Sequence, residues 1–220
     1  MRAAKPRLKS PTLPSPDAAG RRRATELLNR ATDLRRLAVA FPGMRIIGPD
    51  PLVENLEKLC GLADAGLVIL RVRLRQNSFT VVAASPRAWR APGEKARLHV
   101  LKRAAEHAGH RILLIPPRSI TRQPRLDNSR WIASCAGVRV MPEERSAIAT
   151  YLYSAPYSSL AEVASRLRRR DAASAILSLV AAGDLELDLN RPIRPTSQLK
   201  LTRHPPPAPP REVSATRAFR

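Results

Sequence analysis

The sequence predicts an α+β protein built of two small domains. The stretch LVILRVRLR (67–75) alternates apolar residues with arginine, as the two faces of a half-buried strand require. Residues 94–108 instead repeat apolar residues at helical spacing and end at Gly109, a residue type common at helix C-termini. The C-terminal third adds three short helical patterns and two short strand patterns. A chain of 220 residues is long enough for two such cores.

Residues 24–138 are predicted to form an α/β domain. The order strand, helix, strand over residues 79–115 favours a right-handed crossover onto a small mixed sheet. The predicted elements, in chain order, are a helix from about Ala24 to Ala40, a helix over 50–62, a strand over 67–75, a turn over 76–78, a strand over 79–84, a loop over 86–93, a helix over 94–108, a strand over 111–115 and a partly helical segment over 119–135.

Residues 140–203 are predicted to contain three short helices and then a β-ribbon. Serine and aspartate before two of the helices are good N-cap residues, and glycine after the last one is a good C-terminal stop. The predicted parts are a helix over 143–153, a helix over 159–167 capped by Ser158, a helix over 172–182 capped by Asp171 and ended by Gly183, and strands over 185–189 and 197–201 on either side of the excursion NRPIRPT (190–196). This order of elements is that of a winged helix.

Positive charge dominates the composition. The chain has 39 Lys and Arg against 18 Asp and Glu, a formal net charge of +21. The two ends, residues 1–23 and 204–220, are rich in proline and small residues and are predicted to be disordered basic and Pro-rich tails. Between them the surplus persists, which predicts a polyanionic partner whose counterions are released on binding. Composition alone leaves ribosomal, membrane-surface and DNA-binding proteins open.

Other classes of site have no support in the sequence. No apolar run approaches the ~18 residues of a membrane span, so no membrane partner is predicted. Cys60 and Cys135 lack the spacing of metal ligands, and the four histidines form no metal pattern with them. The chain shows no Gly-rich phosphate loop and no nucleophile elbow. We therefore expect no cofactor, no bound metal and no small-molecule substrate.

The C-terminal module supplies the candidate DNA contacts. In a helix-turn-helix the second helix enters the major groove, so the helix over 172–182 would be the recognition helix, with Ser174 and Ser178 on its outer face. The arginines before that helix would clamp phosphates, and those of the excursion would reach the minor groove or the backbone. The candidates are Arg166, Arg168, Arg169, Arg170, Arg191 and Arg194. A module of this kind can instead dock on a protein, and that alternative stays open.

Several segments together resemble a known family. They are LVENLEKL (52–59), FTVVAASP (79–86), AAEHAGHRILLI (104–115), ITRQPRLDN (120–128) and DAASAILSLVAAGDLELDL (171–189). Over about two thirds of its length the chain resembles the TnsA-type endonuclease subunits of heteromeric transposases. The resemblance implies a restriction-endonuclease-like domain followed by a winged helix. It also implies a transposase subunit or an AAA-type ATPase as a partner beside double-stranded DNA.

The chain departs from this family at the catalytic positions. Glu57 falls on the family's first acidic position, but the segment LVILRVRLRQNS (67–78), where the family next has an aspartate before the central strand, contains none. Ala83 and Ser85 stand where the family has glutamate and lysine. Magnesium-dependent cleavage of a phosphodiester needs carboxylates that hold the ion, and usually a lysine that stabilises charge. The resemblance therefore implies a degenerate nuclease domain.

The leading hypothesis is a bacterial, cytoplasmic, nucleoid-associated protein. It would bind DNA without cleaving it and act in transposition or in the control of a mobile element. One alternative is an active metal-dependent endonuclease that combines Glu57 with Asp50 or Asp64. Two others are a winged-helix transcriptional regulator and a protein-docking adaptor.

Overall fold

The computed structural model describes residues 16–41, 43–74 and 76–202, with side chains from residue 20 onward. The chain divides into two compact units. The first comprises the residues up to Ala38 together with Met44–Leu126, and the second comprises Val39–Gly43 together with the residues from Asp127. Both contain helices and β-structure, so the predicted α+β class is confirmed.

A four-stranded mixed sheet organises the N-terminal unit. The strands lie in the order β1-β2-β3-β4, the first three antiparallel and β4 parallel to β3. The elements are α1 (Pro16–Val39, whose last residue belongs to the second unit), β1 (Met44–Gly48), α2 (Pro51–Leu59), a 3-10 turn (Ala63–Ala65), β2 (Val68–Leu74), β3 (Asn77–Ala83), α3 (Pro86–Arg90), α4 (Pro92–His107), β4 (Ile112–Ile115) and α5 (Pro117–Ile120). The predicted small mixed sheet is thus present, and the handedness of its crossover stays a prediction.

Apolar side chains cover both faces of this sheet. On one face Val68, Leu70 and Val72 of β2 pack in a cluster that includes Leu34 of α1. The opposite face carries a second cluster, formed with the apolar sides of α2 and α4. Because strand residues alternate between faces, the residues between those valines and leucines point the other way. Ile69 joins the second cluster. Arg71 and Arg73 are not part of that cluster, and Arg71 is half-buried whereas Arg73 is exposed.

Three predictions for the N-terminal unit need correction. Helix α1 begins at Pro16 and not near Ala24, so part of the tail predicted to be disordered is helical; residues 1–15 lie outside the described residues. Proline and alanine at its start favour helix formation. Strand β1 has no counterpart in the prediction, because the exposed Ile47 breaks the alternation of polar and apolar residues in MRIIG. The predicted loop over 86–93 contains α3, which Ser85 caps by accepting a hydrogen bond from the Ala88 N–H at 3.1 Å.

In the C-terminal unit one helix comes before the predicted order of three helices and an antiparallel ribbon. Its elements are α6 (Arg125–Cys135, whose first two residues belong to the first unit), α7 (Pro142–Ser154), α8 (Leu160–Ser165), α9 (Ala172–Ala182), β5 (Leu185–Leu187) and β6 (Leu199–Leu201). Helix α9 supplies more of the core than any other element, and Ile132 and Cys135 of α6 join it. For this reason the unit begins at Asp127, whereas the sequence places the boundary near residue 138. Residues 203–220, which include the predicted C-terminal tail, lie outside the described residues.

The predicted caps of this unit differ in detail. Ser159, and not Ser158, caps α8 by accepting a hydrogen bond from the Glu162 N–H, because Ser158 is turned toward the Ala155 carbonyl. Asp171 makes no side-chain cap on α9, since its carboxylate binds Arg169 instead. None of the described helices is both long and apolar enough to span a bilayer.

Candidate nucleic-acid interface

Helix α9, the predicted recognition helix, lies mostly inside the core of its own unit. Ser178 is only 6% exposed, and its hydroxyl donates to the Ala175 carbonyl at 2.8 Å. Ser174 is half-buried. The prediction that Ser178 lies on an outer face is therefore wrong, because α9 packs against α8 and β5 along most of its circumference. A helix used in this way offers few side chains to base edges.

The arginines that precede α9 have different surroundings. Arg166 stacks on Tyr151, with its guanidinium carbon 4.6 Å from the ring centroid. Arg169 binds both carboxylate oxygens of Asp171 at 2.6 and 2.7 Å, and it also donates to Glu144 at 3.0 Å. Arg168 and Arg170 are exposed, and neither forms an ion pair within the described ranges. Of the four, these two remain the most available to phosphate.

The contacts of Arg169 predict a structural role for that residue. Its guanidinium joins the turn before α9 to the start of α7 and to the Arg139 carbonyl at 3.1 Å. The hydrogen bond to the Asp171 carboxylate raises the pKa of Arg169 above its usual value, and the Glu144 carboxylate raises it further. Arg169→Ala should therefore lower the melting temperature measured by circular dichroism. The double variant Arg168→Ala/Arg170→Ala is the control and should melt as the wild type does; equal melting of all three proteins would contradict this role.

Arg191 and Arg194 lie in the exposed loop that connects β5 and β6. The side chain of Arg191 is 88% exposed and lies 3.8 Å from the Asp188 carboxylate, and Arg194 is exposed as well. A groove of about 870 Å³ runs beside them. Its lining includes two acidic and three basic residues, Glu186, Asp188, Arg191, Arg194 and Lys200. Such mixed charge gives phosphate only weak net attraction.

The charge of the chain is concentrated in its N-terminal part. Residues 127–202 contain ten Lys and Arg against eight Asp and Glu, a net charge of +2. Residues 16–126 contain 21 Lys and Arg against nine Asp and Glu, a net charge of +12. Attraction to a polyanion follows this net charge. The excess of positive charge in the two units therefore lies mainly in the N-terminal one.

Three arginines share one face of the N-terminal sheet. Arg45 of β1 lies directly opposite Arg73 of β2, and Arg71 lies two residues before Arg73. Residues directly opposite in an antiparallel pair point to the same face, as do residues two apart in one strand. Arg45 and Arg73 are exposed and Arg71 is half-buried. Like charges directly opposite destabilise a sheet, so an anion bound over this face would relieve their repulsion.

A buried cluster of polar side chains, formed by Asp50, Thr80 and His110, lies beside Arg71 in the sheet. Arg71 is paired with Thr80 of β3, whose hydroxyl donates to Asp50 Oδ2 at 2.5 Å. His110 Nδ1 lies 3.3 Å from the same oxygen, and Asp50 also caps α2 through the Val53 N–H. Burial acts to raise the pKa of Asp50, but the hydrogen bonds from Thr80, His110 and Val53 together lower it. The carboxylate is thus held ionised in the interior.

Thr80 and His110 were not among the predicted site residues. A threonine on the otherwise apolar strand FTVVAA was the available signal, because it interrupts the apolar face that covers α2 and α4. His110 gave no signal, since sixty residues separate it from its partner Asp50.

The acidic residues considered for catalysis do not gather into a metal site. Within residues 16–41, 43–74 and 76–202, no group of three His, Cys, Asp or Glu side chains could hold a metal ion. Burial, and then the nearby Glu54, raise the pKa of Glu57, which disfavours the ionised form that binds magnesium. Asp64 is exposed on the 3-10 turn, and Asp50 is engaged in the buried cluster.

The two positions that depart from the family's catalytic motif have structural roles. Ala83 is fully buried at the end of β3, and Ser85 caps α3.

Comparison of the chain with models of known protein families finds no match, and comparison with curated protein sequences likewise finds none.

Proposed function

We propose that this protein binds double-stranded DNA without cleaving it, mainly through the arginine face of its N-terminal sheet. The observation that carries the proposal is the cross-strand pair of Arg45 and Arg73, with Arg71 beside it, in a unit of high positive charge. Strand pairing fixes the backbone spacing of these arginines, and guanidinium binds phosphate through paired hydrogen bonds. Contacts of this kind fix the protein on the DNA backbone but do not read sequence. Binding is accordingly strong and weakly selective.

We further propose what kind of domain each unit is. The N-terminal unit is a nuclease-like domain that has lost catalysis, and the C-terminal unit is a winged helix. The mixed sheet with a helix between parallel strands supports the first, and the order of three helices and a ribbon supports the second. On this assignment the chain is a TnsA-like subunit in transposition or in the control of a mobile element. It acts in the bacterial cytoplasm, on the nucleoid, beside a transposase subunit or an AAA-type ATPase.

One observation favours a second role for the C-terminal unit. With nearly balanced charge and its central helix buried, this unit suits docking on a protein better than it suits phosphate contact. The winged helix would then act as an adaptor while the N-terminal unit holds the DNA.

Two triple variants with the same loss of charge test which unit binds DNA. Arg45→Ala/Arg71→Ala/Arg73→Ala should weaken binding to a short duplex by about tenfold or more, because three phosphate contacts are lost. The matched control, Arg168→Ala/Arg170→Ala/Arg194→Ala, removes three exposed arginines from the other unit and should weaken it much less. Fluorescence anisotropy at one fixed salt concentration measures both, after thermal unfolding has shown that each variant folds. Equal losses, or a larger loss in the control, would refute the assignment to the sheet.

A further inference from the structure

A small groove lies at the end of the β2–β3 hairpin. It has a volume of about 240 Å³ and is bounded by the hairpin on one side and by the turn between α4 and β4 on the other. Its lining residues are Arg71, Gln76, Asn77, Ser78, Phe79, Thr80, Gly109, His110 and Arg111. Pockets for whole small molecules typically exceed about 300 Å³. The size of this groove therefore suits a single functional group.

The charge of the lining suits an anion. Of the residues that the structure describes, Arg71 and Arg111 both line the groove, and no carboxylate does. Neither guanidinium forms an ion pair with an acidic residue in the described part of the chain. Ser78 and Asn77 add neutral hydrogen-bond donors beside them. Two unpaired arginines around one concave surface are a typical arrangement for binding phosphate.

The third basic group of the groove is held by the buried cluster. Asp50 is 1% exposed, and its Oδ2 accepts from Thr80 and lies 3.3 Å from His110 Nδ1. An ionised carboxylate can accept hydrogen bonds but cannot donate them. His110 Nδ1 therefore carries the proton that it shares with Asp50, and Nε2 is the ring nitrogen left for a ligand. The side chain of His110 is 27% exposed at the groove. Asp50 thus orients the ring and offsets its charge when Nε2 is also protonated.

We propose that this groove binds one phosphate group through Arg71, Arg111 and His110, with Asp50 as the residue that positions the histidine. If the proposed DNA binding holds, the phosphate comes from the nucleic-acid backbone and the groove fixes the duplex at the edge of the arginine face. The same chemistry would accept a terminal or free phosphate. The groove does not depend on the DNA proposal for its affinity toward inorganic phosphate.

Nuclear magnetic resonance of the full chain can test the groove with inorganic phosphate as the probe. Phosphate should shift the amide signals of Ser78 and of Gly109–Arg111 and the Nε2 signal of His110, whereas chloride at equal ionic strength should not. Arg111→Ala and His110→Gln should each weaken phosphate binding by about tenfold, because each removes a charge-assisted hydrogen bond. Arg103→Ala is the matched control, since Arg103 is an exposed arginine of α4 outside the groove. Shifts spread over all arginines, or an equal effect of the control, would overturn the proposal.

A second arm distinguishes the sources of the phosphate. Duplexes with and without 5′-terminal phosphates should bind equally if the groove takes a backbone phosphate, and Arg111→Ala should weaken both. A preference for the phosphorylated duplex that Arg111→Ala removes would assign the groove to chain ends. If neither duplex binds but inorganic phosphate does, the DNA proposal fails and the groove stands. If duplex binding is normal and inorganic phosphate shifts nothing, the groove proposal fails alone.

Discussion

Between 50 and 200 mM salt, the affinity of this protein for duplex DNA should fall about a thousandfold. The expectation assumes roughly six neutralised phosphates, each of which releases condensed counterions when an arginine or lysine replaces them. Residues 16–126, with their net charge of +12, include enough lysines and arginines for that number of contacts. Fluorescence anisotropy titrations over this range, plotted as log affinity against log salt, give the number of contacts from the slope.

The variants of the arginine face sharpen this measurement. Each lost phosphate contact lowers the slope by about one, so Arg45→Ala/Arg71→Ala/Arg73→Ala should lower it by about three. The C-terminal triple variant should leave it nearly unchanged and serves as the control. A flat response of the wild-type protein to salt would contradict the electrostatic account of binding as a whole.

The second large effect is expected at Asn128, which anchors the excursion beyond β5. Its side chain is 5% exposed, and its amide nitrogen donates to the carbonyls of Leu189 at 3.0 Å and Arg191 at 2.7 Å. Its oxygen accepts from the Ile193 N–H at 3.3 Å. Asn128→Ala removes all three hydrogen bonds and leaves one buried and two part-buried backbone groups without this partner. The free energy of unfolding should fall by about 3 kcal/mol, at about 1 kcal/mol for each bond.

Urea unfolding followed by circular dichroism measures this loss. Ser134→Ala is the matched control on the same helix, because the exposed Ser134 hydroxyl bonds only to the Trp131 carbonyl one turn earlier. Its stability should stay within about 0.5 kcal/mol of the wild type. A loss at Asn128 no larger than that of the control would show that the excursion holds its shape without this anchor.

Local patterns in the sequence were sufficient for most of the regular elements. The alternation over LVILRVRLR predicts β2, and the helical spacing before Gly109 predicts α4, because burial of one face imposes a period of 2.0 or 3.6 residues. The same patterns did not reveal β1, because the exposed Ile47 breaks its alternation of polar and apolar residues. They also placed Ser178 on an outer face, because the pattern of one helix does not show how many neighbours cover it.

The sequence by itself determined the α+β class, the order of most of the elements and the excess of positive charge. The tertiary structure decided which charged groups lie together. The pairing of β1 with β2 sets Arg45 opposite Arg73, and a slip of one residue would have put one of them on the other face. Packing also brought His110 to Asp50 and turned Arg169 toward Glu144. Such contacts depend on strand register and on the packing of distant segments, and local residue preferences do not encode either.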